Sequence, residues 1–394
     1  MTIKWVFIEP VDVWLFRDGR PFSAGEGHAA RSIFPPTPHT VQGALRSAVL
    51  GHESVPWQAY YAALTDQAQR LRGRIGGPSG KTNGTVVAAE LGCFAMAGPF
   101  VALKEKGQFM PYFRLPSDVL AVKDTKDLVL LAPTEGLPFD ADWPDPSLEP
   151  LWADCDQELE SPEELDWVKA EGFDAYLQGD VSKLKGVPAE GVRVSEFRYG
   201  HQMDGDTRRP KEGMLYQAEF IRPQPTVGLL ARVSDAATPP DEAGTLALGG
   251  EAKAARYRIL GDKDVVPYPK PAQPDRRLKV VLLTPAYFSD GWRPAGGDWS
   301  ALFAQKVKLC SVALNRPAHI GGWDVARRRS KPMRYLVPAG SVYFFEAEAP
   351  IQPPTYLTET PNGELDFAKL GFGQIACGTW KPRHYADKGG TDVH

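Results

Sequence analysis

Lys4 to Glu9 alternates in the manner of a strand, with Trp5, Phe7 and Pro10 interleaving with Val6 and Ile8; this predicts an opening strand. Residues 17–36 are rich in Gly and Pro and read as a loop. Thr37 is placed to cap a helix with Pro38 at its first position; Val41, Ala44, Leu45, Ala48 and Val49 then recur at helical spacing, and Gly51 is placed to stop the run. A second helical stretch near 57–71 reads as an insertion. Strand-like runs follow at 92–103, 214–222 and 228–233. Ser161 to Glu164 fits a capping box, so a short helix is expected there. Residues 241–248 read as another short helix ended by Gly249 and Gly250, and 255–260 as a strand.

Four prolines and little periodicity mark 261–274 as a linker. Beyond it, strands are expected from Leu278, at 307–314, near 333–337 and at 341–347, with a short helix from Asp298 through Phe303. A last helix ends at Gly371-Phe372-Gly373, and a strand runs on to Trp380. Each half thus reads β-α-β-β-α-β, the ferredoxin-like order. The expected class is α+β, with one domain over 1–262 and a second over 275–394. Insertions fall at about 52–84 and, in an acidic stretch, about 135–190.

Composition adds limits. The chain has 394 residues, 38 Gly and 36 Pro, enough for two domains joined mainly by loops. No stretch approaches the roughly 20 apolar residues that span a bilayer, and the first ten residues hold no run of signal-peptide length. Cys93, Cys155, Cys310 and Cys377 are far apart, with no CxxC pair. That points away from zinc and disulfides, and toward small buried groups in a reducing cytoplasm. The formal charge of −4 is uneven: Glu135 to Asp174 holds fourteen acids and one base, Lys169, a net of −13, which leaves the remainder at +9. A polyanion responds to the local potential, so nucleic acid stays open as a partner if the acidic stretch is a solvated insertion directed away from it.

The run Trp14-Leu15-Phe16-Arg17-Asp18-Gly19-Arg20-Pro21-Phe22 resembles the signature of the third-subunit family of type III-B CRISPR Cmr complexes, within the RAMP superfamily. Further blocks resemble that family in the same order. They are Phe34-Pro35-Pro36-Thr37-Pro38-His39-Thr40, Gly43-Ala44-Leu45-Arg46, Gly213-Met214-Leu215-Tyr216, Leu248-Gly249-Gly250-Glu251, Thr284-Pro285-Ala286, Gly291-Trp292, Gly321-Gly322-Trp323-Asp324, Pro338-Ala339-Gly340-Ser341 and Gly371-Phe372-Gly373. The resemblance covers most of the chain outside 133–188. Two departures stand out: Ala252-Lys253 follow the first glycine turn where a further Gly and Arg would be usual, and the last loop is one residue short between its glycines. The resemblance implies two RRM-like domains at one end of a ribonucleoprotein filament. It also implies contact with the 5′ handle of the guide RNA (crRNA), with the large polymerase/cyclase-like subunit and with the backbone RAMP subunit. Nuclease and cyclase chemistry is then expected in other subunits, with no cofactor here.

RNA binding needs cations for phosphates, flat groups for stacking and closely approaching backbone. Arg17, Arg20 and Arg31 lie in the first loop with Phe16 and Phe22, and His28 beside them; a plain turn in which Asp18 pairs with Arg17 is the structural alternative. Arg46 is expected off the buried stripe of the first helix, either on RNA or merely solvated. The helix start, with His39 and Thr40, can attract a phosphate. Arg327, Arg328, Arg329, Lys331 and Arg334 form the densest basic run, with Trp323 as a stacking candidate and Gly322 before it. The turns at Gly249-Gly250, with Lys253 nearby, and at Gly371 and Gly373 are candidates to cradle phosphate with bare amides; ordinary helix-ending turns are the alternative. Gly80-Lys81-Thr82 mimics the end of a P-loop, but Ile75 stands where that motif needs glycine. The competing function is a metal-independent endoribonuclease with His39 or His28 as base.

Overall fold

The computed structural model describes residues 3–19, 29–77, 80–82, 85–87, 89–137, 145–235, 238–266, 269, 272–324 and 329–385. The opening alternation becomes strand β1 (Ile3–Pro10), with Val6 and Ile8 fully buried on one face and Trp5 and Phe7 nearly buried on the other. β1 pairs antiparallel with Val227–Ser234 on one side and Ala254–Leu260 on the other, and Met96–Glu105 lies beyond Val227–Ser234. Counted along the chain, these four strands stand in the order fourth, first, third, second. The second half repeats that order: Asp275–Leu282 sits between Val342–Ile351 and Ile375–Thr379, with Lys308–Ala313 outermost. The fold is mixed and rich in strand, and its longest helix is α1 (Pro38–His52).

The helices depart from expectation in four places. α1 runs through Gly51 to His52, and Thr37 places no side-chain cap on it; the Thr37 hydroxyl lies 3.3 Å from that of Thr40 instead. The 57–71 stretch divides into Trp57–Ala62 and Asp66–Ile75, because Ala63 turns left-handed and Thr65 caps the second piece through the Ala68 amide. Residues 241–248 hold no helix. Ala243–Ala247 is an edge strand on Ala254–Leu260, since Gly244 weakens a helix and packs closely against the Tyr257 ring. The expected capped helix at 161–164 is only a turn, closed by the Leu165 amide on the Pro162 carbonyl. The chain there is drawn into strand Trp167–Lys169, whose Trp167 and Val168 are buried.

That last point overturns the reading of the acidic stretch as a solvated insertion. Trp167–Lys169 joins the first sheet beside Gln108–Arg114, and Gly186–Val187 joins it in turn. Phe173, Tyr176 and Leu177 in helix Phe173–Leu177 are buried with them in the main core. The charge count conceals this because the acids occupy the outward positions between the apolar ones. Several acids also grip the second half: Asp145 bonds Arg293 at 2.6 Å, and Glu149 pairs with Lys308 at 3.2 Å while its amide bonds the Cys310 carbonyl. The chain end returns as well, with Arg383–His384 pairing parallel to Leu128–Glu135. One hydrophobic cluster therefore runs through both halves, from Val6 and Trp14 to Phe344 and Phe372, and a second belongs to the C-terminal half.

At the centre of this contact lies a buried polar triad. Lys279, on the first strand of the second half, is 1% exposed, and Asp118 opposite it is 0% exposed. Lys279 Nζ stands 3.5 Å from Asp118 Oδ2, donates to the Tyr176 carbonyl at 3.3 Å and lies 3.8 Å from the Tyr176 ring centre. The Tyr176 hydroxyl donates to Asp118 Oδ1 at 2.6 Å. Burial pulls the Lys279 ammonium below its ordinary value, with Asp118 opposing, and the same burial holds the Tyr176 phenol far above its own. All four cysteines are free; Cys310 and Cys377 are buried as expected, whereas Cys93 is exposed and Cys155 half-buried. No described helix is long and apolar enough to cross a membrane. Asp118→Ala strands a buried ammonium and should cost about 3–5 kcal/mol in denaturant unfolding, whereas Asp118→Leu with Lys279→Met should recover most of that loss.

Candidate nucleic-acid interface

The site is built where three segments distant in sequence meet. Val13 to Phe16 are all buried; the Trp14 ring packs 5.4 Å from Phe16 and 6.3 Å from Phe34. This anchor leaves Arg17 exposed and paired in a bridge with Ser32. The next turn of chain reaches the second half: a Cβ on Gly19 would stand 2.8 Å from the Gly321 nitrogen, so the two glycines are needed for the backbones to pass. The signature loop and the Gly321-Gly322-Trp323 block thus share one place. Arg31 is exposed, 3.8 Å from Glu219 and 5.8 Å from the Phe197 ring centre.

α1 forms the adjoining wall. Arg46 is expected off the buried stripe, on RNA or solvated; its guanidinium lies over Phe94, 4.7 Å from the ring centre. Its Nε and one terminal nitrogen are buried without a hydrogen-bond partner, and burial lowers its pKa to about 10. About two turns earlier, His39 sits edge-on to Phe372 and Phe367, at 5.0 and 5.2 Å. Its Nδ1 is also buried and unpartnered. Burial holds the imidazole well below the usual histidine range, and Lys331, Arg46 and Arg334 push it further. Lys331 is lowered by burial too; Glu364 and Asp324 oppose that shift and Arg46 adds to it. Arg334 spends its charge on Glu364 at 2.6 Å. α1 and the 318–336 arm therefore bring three cations and a neutral imidazole into mutual electrostatic range, and the Arg46 guanidinium has no carboxylate partner among the described residues.

Flat groups line the same arm. Trp323 is 59% exposed, paired with Ser330 across a short ladder, and Arg329 faces Asp324 in that ladder. Tyr335 is 56% exposed against His319. Sequence reasoning missed Tyr335. It also missed the Arg193–Met203 strand, whose Phe197 and Tyr199 stand exposed beside Arg31; its alternation of Phe197, Tyr199 and His201 with Glu196 and Arg198 is the signal that could have found it.

Other expectations are corrected. The Gly250 amide donates to the Leu15 carbonyl at 2.7 Å, and a Cβ on Gly249 would meet that same oxygen at 2.6 Å. Lys253 pairs with Glu251 at 3.2 Å and lies over Phe220. At the last turn, the Gly371, Phe372 and Gly373 amides donate to Ala368, Phe367 and Pro285 carbonyls, and all three residues are buried. A Cβ on Gly371 would meet the Gly98 carbonyl at 2.4 Å. The amides of Gly250, Gly371, Phe372 and Gly373 are thus taken, and both turns are close-packing points that support Phe16 and His39. The Thr40 amide is likewise taken by the Thr37 carbonyl at 2.9 Å. Arg20, His28, Arg327 and Arg328 lie outside the described residues.

Comparison with known proteins agrees with the signature residues. The family described as CRISPR-associated protein (Cas_Cmr3) matches residues 6–380. Among solved structures, the chain is similar to one in a cryo-EM structure of type III-B Cmr-beta bound to cognate target RNA and AMPPnP, with 17% identity, 86% of each chain covered and a TM-score of 0.45. A second, of Cmr-beta bound to cognate target RNA, gives 17%, 86% and 0.44. No curated protein matches in sequence. Since the family match runs from the first strand of the first half to just past Ile375–Thr379 in the second, the chain belongs to the Cas_Cmr3 family, the Cmr subunits of type III-B CRISPR systems.

Proposed function

We propose that this type III-B effector subunit binds guide RNA without cleaving it, in the groove between α1 and the 318–336 arm. Two ferredoxin-like units, each with its helices reduced, form the walls. The 5′ handle is the segment held, and the large polymerase-like subunit and the filament's backbone subunit are the protein neighbours in the cytoplasm. The observation that carries this reading is Arg46: a cation packed on Phe94, with buried N–H groups and no anion beside it among the described residues. A buried charge without a partner is costly, and a phosphodiester supplies the missing one through charge-assisted hydrogen bonds. Arg17, Arg329 and Lys331 extend the path for a backbone, and Trp323 and Tyr335 offer faces to unstacked bases.

One observation favours a second reading. His39 holds a neutral, unpartnered nitrogen beside cations, as a ribonuclease base requires. Incubating the folded chain with labelled repeat RNA in chelator separates the two. The binding reading requires intact RNA, and cleavage lost on His39→Ala would replace it.

Arg46→Ala should weaken guide-RNA binding about ten- to a hundredfold and reduce the salt slope by about one, whereas Lys123→Ala, far from the groove, should change neither. Filter binding at several salt concentrations measures both.

Folding favours neutral His39, because its folded pKa lies below the unfolded value of about 6.5. The stability from this group is therefore complete above that pH and is lost as pH falls toward the folded value. Thermal melting of the free chain should drop more between about pH 7.5 and 5.5 than that of His39→Gln. Bound RNA should narrow the difference by favouring the protonated imidazole.

A further inference from the structure

The face of the first sheet opposite α1 carries chemistry that the RNA groove does not use. Arg256 and Arg258 point outward from Ala254–Leu260, both exposed. In register, Arg258 lies between Phe7 and Ala243, and Arg256 between Glu9 and Thr245. Neither arginine makes an ion pair among the described residues. With Lys104 and Phe109 these side chains surround a cavity of about 340 Å³.

This cavity borders an open edge. Among the described residues, Ala243–Ala247 pairs only with Ala254–Leu260. The Leu248 amide bonds the Lys253 carbonyl, and the Ile259 amide bonds the Glu242 carbonyl. In an antiparallel ladder these bonds recur at every second residue, so Leu246 and Gly244 face inward to their partners, while the N–H and C=O groups of Ala243, Thr245 and Ala247 point out of the sheet. The same three residues are exposed, small and uncharged. Native edges usually carry a lysine, proline or bulge that blocks pairing, and this run has none. Small side chains there also leave the two arginines a clear path to the edge.

We infer that an acidic extended segment of a partner protein adds as a strand to Ala243–Ala247, its main chain bonded to Ala243, Thr245 and Ala247 and its carboxylates held by Arg256 and Arg258. Strand addition takes affinity from the backbone and specificity from alternate side chains. Arginines two apart on a strand match carboxylates two apart on the added one. RNA fits less well. Trp5, Phe7 and Phe109 are only 8%, 6% and 4% exposed, so no ring face is open for stacking, and Glu9 opposes Arg256 in register.

The test is fluorescence anisotropy on the full chain with four labelled probes: a blocked heptapeptide alternating Glu and Val, its Gln-for-Glu copy, its copy N-methylated on alternate residues, and oligouridine. The Glu peptide should bind, N-methylation on the pairing edge should abolish binding, and the Gln copy should bind about tenfold more weakly. Arg256→Ser with Arg258→Ser should weaken the Glu peptide by a similar factor, with melting and oligouridine binding unchanged. Arg46→Ala should leave the peptide unaffected, which separates this surface from the RNA groove. Failure of the Glu peptide to bind, equal binding of the N-methylated peptide, or loss of oligouridine binding in the arginine double variant would each overturn the assignment. So would a concentration-dependent dimer of the chain that disappears in Thr245→Pro, since it would give the edge to a second copy.

Discussion

The contact between the two halves rests on a buried charge pair. Lys279 and Asp118 are both out of water, and each is tolerable there only because the other is present, with Tyr176 completing their hydrogen bonds. Asp118 follows a strand of the first half, Tyr176 lies in the acidic stretch, and Lys279 is on a central strand of the second. The triad therefore constrains three parts of the chain at once. An apolar interface can slide; an ammonium that must meet one carboxylate and one carbonyl fixes how the halves sit. Close packing reinforces this at Gly378, where a Cβ would stand 2.0 Å from the Leu177 carbonyl oxygen.

The groove inherits its chemistry from that fixed arrangement. Arg46 and His39 come from α1 and Lys331 from the second half, and their repulsion opposes the contact that the triad and the continuous core maintain. Part of the repulsion is relieved at His39, whose imidazole is held neutral by burial and by these cations. The glycine pairs belong to the same design. Gly19 with Gly321 and Gly371 with Gly98 let backbones from opposite halves approach closely, so the last glycine turn serves packing between the halves.

Much of the fold was legible because strand signals are local. Trp5 to Ile8, Val280 to Leu282 and the Ala255 to Leu260 run carry their periodicity in adjacent residues, and their order along the chain follows directly. Helix signals misled where a competing partner was remote. Ala243–Ala247 pairs instead with a neighbouring strand, and the capping pattern at Ser161 yields to burial of Trp167 and Val168. Net charge misled in the acidic stretch, because counting acids ignores the apolar residues between them that enter the core.

Local pattern by itself therefore determined several core strands and their succession along the chain, α1 and the family, along with the basic and aromatic residues available for binding. It could not determine which of these would lack a partner. Arg46 looked like a surface arginine because helical spacing records only its own helix, whereas its fate was decided by Phe94 beneath it and by the lack, among the described residues, of an acid paired with it. The amides of Gly250, Gly371 and Gly373 looked bare for the same reason, until distant carbonyls took two of them. Electrostatics and hydrogen bonding act through space, so the tertiary structure alone decides which groups are satisfied and which remain open to a ligand.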